Sequence, residues 1–334
     1  MSVVNQHEED ILVVKNLKKY FPAGMDGTTR KYVKAVDDIS FSIKKGTTMG
    51  LVGESGCGKT TAGRTILRLY SVTGGEVYFK GKDLAKISSR ELRKLRPQMQ
   101  MIFQDPYSSL SPRMPVGEII GEAVREHKIV PKNEIDQYVA LIMNACGLPA
   151  QYASRYPHEF SGGQRQRICI ARAVALKPDL IICDEPVSAL DVSIQAQIIN
   201  LLQDLQDEFG YSYLFISHDL SVVEYISDTI GVMYLGSMVE MGDKEKIFNS
   251  PMHPYTQALL SAVPVSDPDL TMDRVILEGD IPSPVNPPSG CKFRTRCRYA
   301  MDICAKVAPD FKEYESNHKV ACHLYPQDTV AGAN

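Results

Sequence analysis

The sequence lacks a strong charge of either sign, a long apolar run and an apolar leader. Its formal net charge is −3 over 334 residues, so it has none of the cationic excess that displaces counterions from nucleic acid. No apolar run approaches the ~20 residues that span a bilayer. The polar, acidic residues 1–10 predict no secretory signal peptide. We therefore expect the chain to lie in the cytosol.

Short segments of alternating polarity predict strands near the N-terminus. Ile39, Phe41 and Ile43 alternate with polar residues, and residues 77–79 repeat the pattern. These segments predict an N-terminal antiparallel β layer. The composition, 44% hydrophobic and 23% charged, is that of an ordinary globular protein, and the length fits one α/β domain with a smaller appendage.

A glycine-rich segment follows the predicted strand 47–52 and precedes a predicted helix over 59–69. Its two glycines followed by Gly-Lys-Thr have the pattern of a phosphate-binding loop. Glycines let backbone N–H groups approach a triphosphate, and the helix start adds positive charge. We expect Lys59 on the β- and γ-phosphates, Thr60 on Mg²⁺ and Thr61 on the α-phosphate. The predicted binding residues are Gly53, Ser55, Gly56, Cys57, Gly58, Lys59, Thr60 and Thr61.

Two carboxylates follow the apolar run 180–183, which predicts a buried parallel strand. Asp184 is predicted to hold Mg²⁺ and Glu185 to orient and polarise an attacking water, because phosphoryl transfer depends on positioning and charge stabilisation. A solvated acidic turn is the alternative interpretation. An amphipathic helix over 194–209 and a further buried strand over 213–216 are predicted next.

The segment 160–167, Phe-Ser-Gly-Gly-Gln-Arg-Gln-Arg, joins a helix N-cap residue to two glycines that expose backbone donors. It predicts a second anion-binding helix start. The segment resembles the signature of the ABC ATPases, with Phe160 in place of the more common leucine. Its predicted nucleotide contacts are Ser161, Gly162, Gly163 and Gln164.

The resemblance to ABC ATPases implies a fold and an activity. The fold is α/β, a P-loop nucleotide-binding domain whose RecA-like core carries the antiparallel β layer and an inserted helical subdomain. The activity is ATP hydrolysis, at composite sites in a dimer where each signature closes over ATP held by the other subunit.

The resemblance also implies roles for single positions. Gln104 matches the Q-loop glutamine that touches Mg²⁺ and water, Asp191 matches the D-loop, and His218 matches the switch histidine that contacts the γ-phosphate. An aromatic side chain is expected to stack on adenine, and Phe21 is preferred by its register in the sequence. Tyr20 is the alternative, and either ring could instead belong to the core.

Three segments are similar to the oligopeptide/dipeptide importer branch of this family, namely 105–110, 156–160 and 253–260. The similarity runs from about Leu12 to Pro326 and favours the F-type ATPase subunit. It implies a heterodimer with a second homologous ATPase subunit, placed on the cytoplasmic face of the membrane beneath two permeases. An extracellular or periplasmic binding protein would deliver the peptide.

Other substrates and one other class of protein stay open at this stage. Nickel and glutathione importers share the branch. A soluble ABC-type ATPase that acts on nucleic acid or ribosomes is the alternative from a different class, although the acidic balance argues against it.

The chain is predicted to divide into an ABC ATPase domain and a C-terminal extension. The ATPase domain spans residues 10–250, with the helical subdomain at about 106–176. Residues 251–288 are proline-rich and predict an extended linker. Residues 289–326 form a small, separate, cysteine-rich extension.

Four of the eight cysteines crowd into this extension, as Cys291-x5-Cys297-x6-Cys304-x17-Cys322. In a reducing cytosol such a group indicates a metal site before disulfides. The short Cys pairs of common structural zinc sites are missing. Four thiolates can instead hold a [4Fe–4S] cluster, which is associated with similar tails in peptide-importer ATPases.

Four cations, Lys292, Arg294, Arg296 and Arg298, surround the first two of these cysteines. We expect them to offset the negative charge of a thiolate-bound cluster. Zn²⁺ is the alternative metal, with His318 and His323 as further ligand candidates, and an extension without metal is the third interpretation.

Overall fold

The computed structural model describes residues 10–263 and 275–325. Residues 1–9, part of the predicted linker (264–274) and the end of the predicted extension at Pro326 lie outside this range. The described chain divides into two bodies. The first body contains 10–11, 43–48 and 86–216, and the second contains 12–42, 49–85 and the described residues from 217 onward.

The first body contains a parallel β-sheet. Strand β7 pairs with β6 on one side and β8 on the other, in the register Met99↔Leu180 and Leu180↔Ser212. Every residue of β7 and β8 is buried, as continuous apolar runs require. The strands are β6 (Met99–Ile102), β7 (Leu180–Asp184) and β8 (Ser212–Ile216).

Only helices lie between β6 and β7 in the first body. Helix α3 starts with a cap and a proline, since the Asp105 side chain accepts from the backbone amide of Tyr107 and Pro106 is the first helical residue. The α-helices of this body are α2 (Ser89–Leu95), α3 (Pro106–Ser109), α4 (Val116–Glu126), α5 (Ile135–Ala145), α6 (Gly162–Val174) and α7 (Val192–Phe209). Short 3₁₀ helices span Arg96–Gln98, Lys132–Glu134, Ala150–Ser154 and Pro157–Glu159.

The second body contains most of a four-stranded sheet in the order β2-β1-β4-β5, of which residues 10–11 and 43–44 are assigned to the first body. Strand β4 runs antiparallel to both β1 and β5. The alternation of Ile39, Phe41 and Ile43 puts all three side chains in the core, as the sequence pattern predicts. The strands are β1 (Asp10–Asp26), β2 (Thr29–Lys44), β4 (Gly74–Phe79) and β5 (Lys82–Asp83).

The remaining strands of the second body mix parallel and antiparallel pairs. Strand β9 is parallel to β3 and antiparallel to β10, which pairs in turn with β12, and β12 pairs with β11. The strands are β3 (Thr48–Val52), β9 (Thr229–Tyr234), β10 (Ser237–Asp243), β11 (Lys312–Glu315) and β12 (His318–Val320). The helices are α1 (Lys59–Ile66), α8 (Leu220–Ile226), α9 (Lys244–Asn249), α10 (Pro254–Ser261) and α11 (Asp302–Lys306).

The structure corrects two expectations about the C-terminal part. The predicted linker contains helix α10, whose Tyr255 is fully buried, because the prolines permit a helix when one stands at its first position. The extension is not a separate element, since β12 is hydrogen-bonded to β10 with Glu240 opposite Val320. Across the described residues, no helix is long and apolar enough to cross a membrane.

A buried carboxylate ties these C-terminal elements together. Glu240 in β10 accepts hydrogen bonds from the backbone amides of Met252 and His253, at 2.7 and 2.9 Å. The ring Nε2 of His318 in β12 lies 2.8 Å from the same carboxylate. Glu240 and His318 are both buried, so each contact replaces hydration that burial removed.

Replacing Glu240 with alanine is expected to lower the free energy of unfolding by about 3 kcal/mol or more, because buried donors are left without an acceptor. Glu240→Gln keeps one acceptor oxygen and should lose less. Urea unfolding of the full chain measures both, with Glu245→Ala on the exposed face of α9 as the control. A Glu240→Ala midpoint equal to that of the control would contradict this role.

Candidate active site

The phosphate-loop segment connects β3 to α1 in the second body. Gly53 and Gly58 have φ of 149° and 109°, values that residues with a Cβ rarely adopt. A Cβ on Gly53 would lie 2.2 Å from the carbonyl oxygen of Met233, and one on Gly58 would lie 2.0 Å from that of Ala35. Only glycine fits at either position. The loop backbone can pass this close to Met233 and Ala35 because Gly53 and Gly58 have no side chain.

Lys59 is the first residue of α1, and its ammonium lies within the loop. Its Nζ donates to the carbonyl oxygens of Gly53 and Glu54, at 2.6 and 3.1 Å. The Sγ atom of Cys57 lies 3.9 Å from this Nζ. Burial raises the pKa of the Cys57 thiol, although the charge of Lys59 acts to lower it. Ser55 and Gly56 are exposed at the tip, where backbone amides can meet an anion.

The acid pair follows β7 in the first body. Asp184 is buried, and the Glu185 amide donates to the carbonyl of Ile216 at 2.9 Å, which continues the pairing of β7 with β8. Glu185 then adopts φ of 47°, an uncommon conformation for a residue other than glycine. The Glu185 carboxylate accepts a hydrogen bond from the side-chain Nε2 of Gln104 at 2.9 Å, so two predicted catalytic residues are in direct contact.

The predicted signature begins helix α6 in the first body. Ser161 and Gln164 form a reciprocal cap, since each accepts a hydrogen bond from the other's backbone amide. Ser161 and Gly162 are exposed. Gly163 packs so close to Ile194 that an added Cβ would lie 2.5 Å from its Cγ2. The D-loop candidate Asp191 is exposed and precedes helix α7.

Both candidates for adenine stacking already have contacts in the second body. The Tyr20 hydroxyl donates to Asp37, and burial together with that carboxylate raises the pKa of Tyr20. The Phe21 ring meets Tyr70 edge-on at 5.4 Å, with the Lys19 ammonium 4.8 Å from its centroid. The choice of Phe21 over Tyr20 stays a prediction.

The switch candidate His218 belongs to the second body, which resumes at Ser217 after the end of β8, and it is exposed. Its neighbours are fixed by local hydrogen bonds. The Ser217 hydroxyl accepts from the Asp219 amide at 3.0 Å, and Asp219 caps α8 by accepting from the amide of Ser221. These bonds hold the backbone of His218 on both sides.

The four cysteines of the extension lie close enough to affect one another. The pKa of Cys322 is raised to about 11, mainly by burial and to a smaller extent by the thiols of Cys291, Cys297 and Cys304. Burial likewise raises the pKa of Cys291 and of Cys297. Within 10–263 and 275–325, however, no group of three or more His, Cys, Asp or Glu side chains is arranged to hold a metal ion.

The cations expected to offset a cluster have other partners. Lys292 donates to Asp37 at 2.9 Å, and Arg296 donates to Glu54 at 2.7 Å. Arg294 hydrogen-bonds Ser289, and Arg298 stacks on the exposed Tyr299. The sequence pattern is therefore misleading for Lys292 and Arg296, because these two cations beside cysteines in sequence reach carboxylates elsewhere in the fold.

The histidines proposed as alternative zinc ligands are also engaged. His318 is buried against Glu240, and Nε2 of His323 lies 2.9 Å from the carbonyl oxygen of Val307. Each contact uses one ring nitrogen, Nε2, so zinc ligation by either histidine would have to use Nδ1.

Sequence reasoning missed the contacts of Glu54, the second residue of the phosphate loop. Its amide donates to the Tyr255 hydroxyl at 2.8 Å, and Arg296 pairs with its carboxylate. Arg296 lies 242 residues away in sequence, and no local signal marks such a pairing.

These features define the class of protein: an ATP-hydrolysing P-loop protein of the ABC type. A family model described as ABC transporter matches residues 36–188, and one described as Oligopeptide/dipeptide transporter, C-terminal region, matches residues 239–304. Both identifications agree with the resemblance found in the sequence.

Two curated relatives are similar over nearly their whole length. The oligopeptide transport ATP-binding protein AppF of Bacillus subtilis is 55% identical over 97% of this chain and 100% of its own. The dipeptide transport ATP-binding protein DppF of Escherichia coli is 49% identical over 96% of each. The chain belongs to the ATP-binding proteins of the oligopeptide/dipeptide ABC transporter family, and it is an ATPase.

Solved structures agree on the fold. The chain is similar to cbiO1 of Clostridium perfringens, part of an ABC transporter complex, with a TM-score of 0.64 and 26% identity over 73% of this chain and 92% of that one. It is also similar to the dimeric ATP-binding cassette MJ0796 bound to ADP and Pi, with a TM-score of 0.63 and 27% identity over 70% of this chain and 98% of that one.

Glu185→Gln is expected to keep ATP binding and to slow hydrolysis by about 100-fold or more, because the side chain loses the charge that polarises water. Lys59→Ala is the matched variant and should lose ATP binding, because it removes the ammonium from the loop. Nucleotide affinity and phosphate release measured on the full chain separate the two roles. Undiminished hydrolysis by Glu185→Gln would refute the first assignment, and unchanged affinity in Lys59→Ala the second.

Proposed function

We propose that this ATPase energises the import of oligopeptides or dipeptides into a bacterial cell. The observation that carries the proposal is the similarity to the oligopeptide/dipeptide transporter C-terminal region together with the ABC transporter match. The relatives with which it shares about half its residues are named for oligopeptide and dipeptide transport. None of these names supports nickel or glutathione as the substrate.

The ATP sites in this proposal are composite and form in a heterodimer with a second homologous ATPase subunit. The start of α6 supports it, since Ser161 and Gly162 are exposed and the first turn of a helix is a favourable place for an anion. The likeness to a dimeric cassette gives further support. The pair would dock from the cytoplasmic face onto two permeases, and an extracellular or periplasmic binding protein would deliver peptide.

Catalysis in this proposal uses the residues that the sequence motifs predict. Lys59 and the loop amides bind the β- and γ-phosphates. Glu185, oriented by the Gln104 amide at 2.9 Å, polarises the attacking water, and His218 contacts the γ-phosphate. Thr60, Gln104 and Asp184 would hold Mg²⁺, whose charge neutralises the phosphate oxygens when it is bound.

Co-purification of the full chain from solubilised membranes tests the assembly. We expect two permeases and a second ATPase subunit to accompany it. Glu185→Gln should co-purify with the same partners but support no uptake of labelled dipeptide or oligopeptide by cells that depend on this system. Recovery with ribosomes or nucleic acid in place of permeases would favour the alternative class and overturn the proposal.

We also propose that Cys291, Cys297, Cys304 and Cys322 hold a [4Fe–4S] cluster, with Zn²⁺ as the alternative. Their mutual effects on pKa support proximity. The described arrangement does not form a metal site as it stands, so ligation requires the thiols to move closer and to lose their protons. No catalytic step is assigned to this group.

Anaerobically purified protein is expected to contain about four iron atoms per chain and to absorb visible light. Cys322→Ser should lose most of the iron, because it removes one of four ligands. Cys169→Ala is the matched control, since it removes a buried cysteine of the first body. Zinc alone would select the alternative metal, and the absence of both metals would contradict a metal site.

A further inference from the structure

The five residues between Cys291 and Cys297 form a segment, 292–296, that reaches the phosphate loop. Arg296 pairs with Glu54 through two hydrogen bonds, NH1 to Oε2 at 2.7 Å and NH2 to Oε1 at 3.1 Å. The side chains are 7% and 25% exposed. A bidentate guanidinium–carboxylate pair that is largely shielded from water is strong and fixes its geometry.

Glu54 is held at its backbone as well as its side chain. Its amide donates to the hydroxyl of the buried Tyr255 at 2.8 Å, and its carbonyl oxygen accepts from Lys59 at 3.1 Å. Every polar group of this loop residue therefore has a partner, and two of those partners, Arg296 and Tyr255, come from the C-terminal region.

The rest of the segment is anchored in the second body. The buried Phe293 packs against the rings of Tyr234 and Tyr255, with centroids 5.2 and 5.4 Å apart. The Lys292 ammonium donates to Asp37 at 2.9 Å and to Ser237 at 2.7 Å. These contacts leave Arg296 little freedom to leave Glu54.

The charge of Glu54 gives this pairing a consequence for nucleotide binding. An acidic side chain in a loop that binds a triphosphate repels its ligand, and in a partly buried site this repulsion is poorly screened. Arg296 places an opposite charge on both carboxylate oxygens. The positive field of the loop then depends on a residue of the cysteine-rich extension.

We propose that Arg296 is a positioning residue of the ATP site, which neutralises Glu54 and holds the phosphate loop in its ATP-binding geometry. The extension is in this way part of the nucleotide site. The proposal rests on the ATPase assignment and not on the identity of the transported solute.

The test measures ATP affinity of the full chain in a double-mutant cycle. Arg296→Ala should weaken ATP binding by about 10-fold, as expected for the loss of a charge-assisted contact. Glu54→Gln combined with Arg296→Ala should restore affinity to within about 2-fold of the wild type, because the unpaired charge is gone. Arg294→Ala, two residues away and bonded to Ser289, is the control and should bind ATP normally.

Rescue separates this role from a general packing defect, which Glu54→Gln would not repair. If Arg296→Ala does not fold, Arg296→Lys decides the matter, since it keeps the charge and loses the bidentate geometry. It should bind ATP a few-fold more weakly, and the combination with Glu54→Gln should remove that loss. The proposal would be overturned if Arg296→Ala and Arg296→Lys bound ATP as tightly as the wild type. It would also be overturned if adding Glu54→Gln to either variant left ATP binding as weak as before. Lys59→Ala leaves the Arg296–Glu54 pair intact. Loss of ATP binding in this variant would show separately that the phosphate loop is the ATP site.

Discussion

The phosphate loop of this protein depends on a steric constraint at two glycines. The carbonyl oxygens of Met233 and Ala35 stand where side chains of Gly53 and Gly58 would otherwise lie. With no side chain there, the backbone passes close to β9 and β2 and turns into α1, which leaves Lys59 inside the loop. Backbone N–H donors and a nearby ammonium are the groups that bind a triphosphate. The predicted phosphate site therefore depends on the absence of side chains at Gly53 and Gly58.

The predicted catalytic carboxylate, Glu185, depends on a second backbone feature. Strand β7 continues its pairing as far as the Glu185 amide, and the left-handed conformation of that residue then turns the chain. The Glu185 side chain meets Gln104, which follows the neighbouring strand β6. Because parallel strands deliver their carboxyl ends to one edge of a sheet, two residues 81 apart in sequence come within hydrogen-bond distance.

The C-terminal extension is integrated into the ATPase by charge, aromatic packing and strand pairing. Glu240 joins β10 to α10 and β12, Phe293 enters a cluster of tyrosine rings, and Lys292 and Arg296 reach Asp37 and Glu54. The extension therefore contacts the phosphate loop and the strand region near the adenine candidate Tyr20, whose hydroxyl shares Asp37 with Lys292. The ion pairs Lys292–Asp37 and Arg296–Glu54 thus connect the C-terminal extension to strand β2 and to the phosphate loop.

The sequence by itself determined the features that depend on short-range physics. The glycine spacing of the phosphate loop, the Ser161 cap of α6 and the apolar runs of β7 and β8 all follow from rules that act over a few residues. Tertiary structure alone decided which distant groups meet. Lys292 and Arg296 stand beside cysteines in the chain yet pair with carboxylates of the N-terminal region. Pro254, one of the prolines that suggested a linker, begins helix α10. An ion pair between residues 242 apart depends on how strands and helices bring the chain back on itself, and no local pattern encodes that path.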